Sequence, residues 1–416
     1  MRPFYYLFIT LYPVVARILS LFDKKARLWV QGRKDVMDDI YHYFKTNTAP
    51  VIWFHCASLG EFEQGRPVLE ALRVMYTRHK ILVTFFSPSG YEVRKNYKQA
   101  DFICYLPMDS PLNARRFIKV VRPTLVIFVK YEFWFYYLKA IRKRNIPLLL
   151  VSGIFRESQT FFKKYGGFYR RMLRYFTHLF VQTPEALRLL HSIGINNASV
   201  SGDTRFDRVL ATAQNFEPVP LIEAFCAGRK VVVAGSTWTE DDEELDHFVT
   251  NHPDMRFIIA PHDISEERLK ECERLYKHTI RYSQLSTAHG TAGINTLIID
   301  NIGMLSRLYK YATICYVGGA FGGDGIHNIL EPAVFAKPVL FGPVHDKFPE
   351  AGAMVEAGGA YSVENALELE KTLNGLLSNE QLYAQSCAAS LQYIQHHAGA
   401  TGKVIQYIQE NRLLTN

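Results

Sequence analysis

Ten short runs of β-branched, aromatic and aliphatic residues recur along this chain, each followed by a stretch of helical period, and this alternation constrains the fold more than any other feature. Strands apolar along their whole length are buried on both faces, and strands separated by helices are joined by crossovers that leave them parallel. The runs predict strands at Val51–His55, Ile81–Phe85, Leu125–Val129, Leu148–Val151 and Leu179–Gln182, then at Lys230–Ala234, Phe257–Ala260, Leu297–Asp300, Ile314–Val317 and Pro338–Phe341. The two sets form two series, and 416 residues are too many for one ordinary core. The chain is therefore read as α/β, with Rossmann-like domains at 25–210 and 229–380 facing a cleft. A linker is expected over 211–228, where Pro218 and Pro220 break any period, and a C-terminal helix over 381–416 packing back toward the first domain. In open α/β sheets ligands collect at the carboxyl ends of strands, so the chemistry is expected in the loops just after these runs.

Residues 1–24 stand apart. Pro3 to Phe22 is apolar and aromatic apart from Arg17, and Asp-Lys-Lys-Ala-Arg follows. The stretch lacks a small-x-small cleavage site, which argues against a removed signal peptide. A full span needs about 20 apolar residues, so Pro13 and Arg17 leave a marginal span or a helix lying in the membrane interface, its cations on headgroups. Attachment to a membrane is the favoured reading, and a buried first helix the alternative. The net charge of +8 suits a partner carrying phosphate or carboxylate groups. Without zinc-finger spacing, an RNA-recognition aromatic motif or a dense Lys/Arg block in the body of the chain, nucleic acid is not the expected partner. The six cysteines are scattered, without a C-x-x-C pair, and read as reduced core thiols in a cytosolic setting.

Four loops carry candidate chemistry. In His55-Cys-Ala-Ser-Leu-Gly-Glu-Phe-Glu-Gln-Gly65, Gly60 is expected to allow a tight turn that holds Glu61 at a strand end beside a helix N-terminus. A fixed carboxylate there can take a proton from an attacking hydroxyl, or can simply cap the helix. In Lys130-Tyr-Glu-Phe-Trp134, Glu132 lies among aromatics, where desolvation makes it a functional group or half of an ion pair with Lys130. In Ser201-Gly-Asp-Thr-Arg-Phe-Asp207, Arg205 can bind a carboxylate or stabilise charge leaving with a phosphate. Val317-Gly-Gly-Ala-Phe-Gly-Gly-Asp-Gly-Ile-His-Asn-Ile-Leu-Glu-Pro332 has five glycines whose free N–H groups suit phosphate, with Glu331 one turn past His327 and Asn328 and able to accept from a ribose diol. It is neither a Walker loop nor G-x-G-x-x-G, and His327 has no second ligand at metal spacing, so no metal and no cofactor are expected.

These residues resemble the 3-deoxy-D-manno-octulosonate (Kdo) transferases of lipopolysaccharide synthesis, from Leu28-Trp-Val-Gln-Gly-Arg33 to about Phe348. Ser58-Leu-Gly-Glu61, Tyr105-Leu-Pro-Met-Asp109, Glu132-Phe-Trp134, Gly202–Asp207, Gly235-Ser-Thr237, Gly325-Ile-His-Asn-Ile-Leu-Glu-Pro332 and Phe341-Gly-Pro343 occur in family order. The resemblance implies a GT-B glycosyltransferase with an acceptor-binding first domain and a CMP-Kdo-binding second domain, transferring Kdo with inversion to a lipid A precursor at the cytoplasmic face of the inner membrane. It implies that Glu61 is the base, that Glu132 and Arg205 stabilise the transition state, and that Pro261, His262, Ile302, Gly303, Met304, Asn328, Ile329, Leu330 and Glu331 bind CMP-Kdo. Here Arg205 stands where lysine is usual, His262 where arginine is usual, Met304 where an acid is usual, and Lys130 in place of an acid. The rival readings are a GT-B enzyme using a UDP-sugar on another lipid acceptor, and a non-catalytic nucleotide-binding protein.

Overall fold

Each apolar run becomes a strand of one of two parallel sheets in the computed structural model, which describes residues 2–130, 132–286, 293–323 and 325–415. Tyr131 of the aromatic loop and Asp324 of the glycine-rich loop lie outside the described residues. The first sheet holds β1 Val51–Cys56, β2 Lys80–Phe85, β3 Phe102–Tyr105, β4 Pro123–Val129, β5 Leu148–Gly153, β6 His178–Val181 and β7 Ala198–Val200. Its order is β3-β2-β1-β4-β5-β6-β7. The second holds β8 Val231–Thr237, β9 Arg256–Pro261, β10 Thr279–Arg281, β11 Thr296–Ile298, β12 Ile314–Val317, β13 Val339–Phe341 and β14 Ala360–Ser362, ordered β10-β11-β9-β8-β12-β13-β14. In the first sheet the order reverses between β1 and β4, in the second between β8 and β12. These are the switch points beside which doubly wound sheets bind ligands.

Burial on both faces explains the apolar runs. In β1, Trp53 enters the cluster containing Phe117, Phe128 and Tyr137, while its neighbours Ile52 and Phe54 enter the opposite cluster with Leu69 and Val404. The chain divides into one unit of Met1–Arg208 with Ala398–Asn416 and another of Val209–His397. The stretch read as a linker is not a bare tether. It contains the end of helix Thr204–Gln214 and the whole of helix Pro220–Cys226, whose Ile222 and Phe225 are buried and whose preceding Val219 N–H donates to the Tyr311 hydroxyl at 2.6 Å. The C-terminal stretch read as one helix is two: Glu380–His397 stays with the second unit, and Ala400–Glu410 packs on helix Leu59–Met75 of the first.

Helix Arg2–Leu19 turns Tyr5, Ile9, Tyr12 and Ala16 inward, the spacing of one helical face. Tyr5 donates to Asp109 at 2.5 Å, and Tyr12 lies edge-on to Trp29 with ring centres 5.2 Å apart. The opposite face leaves Phe4, Leu7, Leu11 and Ile18 exposed. Among the described residues no helix is long and apolar enough to cross a membrane.

Candidate active site

Glu61 is the third residue of helix Leu59–Met75, which begins directly after β1 at the switch point. Its carboxylate accepts from the Ala57 N–H, so the capping contact weighed from the sequence is real. It does not account for the electrostatics. Glu61 is only 9% exposed, and burial, then the charge of Glu132, pushes its carboxyl up to about 7 against the pull of the Ala57 N–H, the Lys130 cation and the Ser58 N–H. A pure cap is an ionised carboxylate favoured by the helix dipole; here desolvation and a like charge outweigh the helix N-terminus. A carboxyl poised near neutrality is suited to general-base work. Gly60 does not make the turn: its φ is not positive, and a Cβ there would meet nothing within 4 Å.

Glu132, after β4 on the other side of the switch point, is held from two sides. Its Oε2 lies 3.0 Å from Nε2 of His55, a β1 residue, and accepts from the Trp134 indole N–H. His55 is fully buried, and its Nδ1 lies 2.8 Å from the Thr84 hydroxyl and 3.1 Å from the Thr84 carbonyl. Its Nε2 also lies 3.1 Å from the Trp134 indole nitrogen, so the His55 ring, the Glu132 carboxylate and the Trp134 indole meet at one point. Where the sequence offered Lys130 as a partner for Glu132, the structure adds His55. Lys130 takes a left-handed backbone (φ 64°), a conformation that costs a non-glycine residue of order 1–3 kcal/mol and clusters at functional loops. A cavity of about 620 Å³ opens beside Glu132, lined by Phe4, Tyr5 and Phe8 of the N-terminal helix and by Trp134, Phe161 and Tyr169.

Arg205 lies in the first turn of helix Thr204–Gln214, its Nε donating to Asp203 at 2.7 Å and its backbone N–H to the same carboxylate at 2.9 Å. Its guanidinium is thus oriented by an acid two residues away.

In the second unit the strand ends assemble a three-ring stack. Trp238 after β8 lies against His262 after β9 at 4.7 Å, and His262 lies against His327 at 4.5 Å with planes 16° apart. Pro261 ends β9, and the His262 N–H donates to the Thr237 carbonyl at 2.9 Å. The glycine-rich loop is fastened differently from the sequence expectation. Gly318 donates to the Gly235 carbonyl at 2.9 Å and Gly319 to buried Asp241 at 2.8 Å, so these two N–H groups are already used and do not await a phosphate. Their need for glycine is steric: a Cβ on Gly318 would lie 2.5 Å from the Ser236 carbonyl oxygen, and Gly319 has φ 94°. Asp241 also accepts from the Trp238 N–H and the Tyr316 hydroxyl, and burial raises its carboxyl.

The remaining expected donor residues divide. Asn328 donates to Glu331 at 3.1 Å, which leaves a polar pair beside the stack. Ile329 and Leu330 are buried, and Met304 is buried with its sulfur accepting from Asn301 at 2.9 Å, so these side chains fill core. Ile302 is exposed and Gly303 follows it in a left-handed turn. Among the described residues no group of three or more His, Cys, Asp or Glu could hold a metal. Sequence reasoning missed His55, Trp238 and Asp241. His55 sits inside an apolar run, and Trp238 directly follows a recognised landmark, a position that could have flagged it.

Two Rossmann-like parallel sheets, each with its polar residues gathered at strand ends beside a switch point, define the GT-B class of glycosyltransferase-like proteins. The UDP-GlcNAc 2-epimerase of Neisseria meningitidis shares the fold, with a TM-score of 0.62 at 17% identity over 87% of this chain and 100% of that one. Residues 34–208 match the family described as 3-Deoxy-D-manno-octulosonic-acid transferase (kdotransferase). The 3-deoxy-D-manno-octulosonic acid transferase of Aquifex aeolicus is 27% identical over 80% of this chain and 87% of its own. A bifunctional glycosyltransferase/methyltransferase of Fusobacterium nucleatum is 26% identical over 87% of this chain, which spans 55% of that protein's length. The resemblance drawn from the motifs holds: part of the first unit matches the Kdo transferase family, and Kdo transferases align with this chain over most of its length.

Proposed function

We propose that this chain transfers Kdo from CMP-Kdo to a lipid A precursor, lipid IVA, with inversion, at the cytoplasmic face of the inner membrane. The observation that carries the reading is the Glu61 carboxyl, fixed by the Ala57 N–H and pushed up to about 7 by burial and by Glu132. In the proposed step the acceptor hydroxyl attacks the anomeric carbon of Kdo as Glu61 takes its proton. The bond from that carbon to the CMP phosphate oxygen breaks, and CMP leaves with the electron pair. A single displacement inverts the centre. Glu132, held by His55 and Trp134, and Arg205, held by Asp203, stabilise the charge that develops. CMP-Kdo takes the second unit, with its base and ribose near the Trp238, His262 and His327 rings and the Asn328–Glu331 pair.

The exposed face of helix Arg2–Leu19 lies in the lipid interface, and the aromatic cavity beside Glu132 receives the acceptor. The reading is tested by incubating wild type and Glu61→Gln with freshly generated CMP-Kdo and tetra-acylated lipid A precursor, without added metal, and weighing the products by mass spectrometry. Wild type is expected to add discrete Kdo masses and Glu61→Gln none, with CMP binding kept. Transfer by the variant would refute the base; absence of transfer by wild type with intact substrates would favour a UDP-sugar donor or a binding protein.

A further inference from the structure

The chain's net charge is not spread over it. Residues 111–144 contain nine cations and one carboxylate, Glu132, a net of +8 that equals the net charge of all 416 residues. Outside this segment the two signs balance at 39 each. In sequence the cations are dispersed by β4, which is why no dense block is visible; the fold reunites them. Helices Pro111–Val121 and Phe135–Lys143 pack side by side, and between them opens a cavity of about 490 Å³ lined by Arg115, Lys139, Lys143, Arg144 and Tyr136. Among the described residues no carboxylate pairs with any of these four cations, whereas Asp101, Glu63 and Glu266 elsewhere each hold two or more. Four like charges around one cavity are unfavourable unless an anion joins them.

The position of the cavity indicates which anion. Tyr136 on its wall is a ring neighbour of Tyr5, centres 6.5 Å apart, and Tyr5 belongs to the helix whose outer face exposes Phe4, Leu7 and Leu11. Lys139 and Lys143 stand one helical turn apart, and Arg115 faces them from the neighbouring helix. A cation cluster beside an exposed apolar helix is the arrangement that recognises a phosphate at a lipid surface, its apolar neighbour in the acyl boundary and its cations at headgroup level. We propose that the cavity between these two helices is a discrete binding site for the phosphate of an anionic lipid headgroup, separate from the Glu61 and Glu132 site. The proposal rests on the membrane-surface part of the function above. A nucleic-acid backbone would meet the same charge but gives no role to the apolar helix alongside.

The test is co-sedimentation of the full chain with phosphatidylcholine vesicles, and with the same vesicles containing phosphatidylglycerol, at moderate salt. Three proteins are compared: wild type, Lys139→Gln/Lys143→Gln, and the charge-matched Lys277→Gln/Lys371→Gln, whose lysines are exposed on the second unit. Wild type is expected to bind both vesicles and to bind the anionic ones more tightly, and the pocket variant to lose about tenfold on anionic vesicles alone, with the control losing less than about twofold. Equal losses in the two variants would reduce the effect to overall charge and overturn the site. Equal binding of wild type to both vesicles would overturn it while leaving membrane attachment standing; binding to neither would overturn attachment as well. A larger loss of affinity for single-stranded RNA than for anionic vesicles in the pocket variant would assign the site to nucleic acid and also overturn it.

Discussion

The carboxyl that makes Glu61 useful should also weaken the fold, and Glu61→Gln measures by how much. In an unfolded chain this carboxyl releases its proton near 4.5, in the folded chain near 7. Below pH 4.5 both states hold the proton and the site costs nothing. As the pH rises the unfolded chain loses its proton first, so folded stability falls through the interval from 4.5 to about 7 and levels off above it. The full difference corresponds to about 3 kcal/mol. The substituted glutamine is of nearly the same size and could still accept from the Ala57 N–H, but has no proton to lose. The stability advantage of the variant should therefore widen by about 2–3 kcal/mol between pH 5 and pH 8. Urea unfolding at the two pH values, with the denaturant slope held common to both proteins, gives the number. In parallel, kcat/KM of wild type should rise with pH to a plateau reached above about 7. A variant advantage that is the same at both pH values would mean that Glu61 titrates as an ordinary surface carboxyl, and the argument from burial and Glu132 would fail.

Two further outcomes follow from contacts described above. His55→Ala removes the ring that packs against Glu132 at 3.0 Å without touching Glu61; kcat should fall by at least about tenfold while KM for CMP-Kdo changes little, and comparable rises in KM would mean a merely structural loss. Gly319→Ala forces a side chain into φ 94° and against the Gly325 carbonyl oxygen, so unfolding of the second unit should be eased by about 1–3 kcal/mol, read as a lowered melting transition.

The sequence revealed the interior of both sheets and not their rims. All ten strands anticipated from apolar runs are present, and the four that were missed, β3, β7, β10 and β14, are the four sheet edges. An edge strand has one neighbour and one partly wet side; β7 and β10 are half-buried throughout, so neither carries the continuous apolar run that marks an interior strand. The loops that hold Glu61 and Glu132 were legible because glutamate among apolar neighbours is conspicuous. What joins them to the fold was not: His55 reads as one more residue of an apolar strand, and its pairing with Glu132 depends on β1 lying next to β4, a fact of topology. Similarly, five glycines suggested free N–H groups, but Asp241, 78 residues before Gly319, had already claimed one of them.

The first unit borrows its last helix from the far end of the chain. Val404, Ile405 and Ile408 fill one of its two cores, and Asp207 fastens the Gly399 and Thr401 N–H groups that begin the returning segment. During synthesis, about 190 residues of the second unit must emerge between the two parts, which at ~5–20 residues per second takes roughly 10–40 s. Throughout that time the sheet that carries Glu61 stands with one apolar side only partly covered, by helix Leu59–Met75 without Val404, Ile405 and Ile408. The unit that holds the proposed base is thus completed after the second, and it can take its final form only once the second unit has been synthesised.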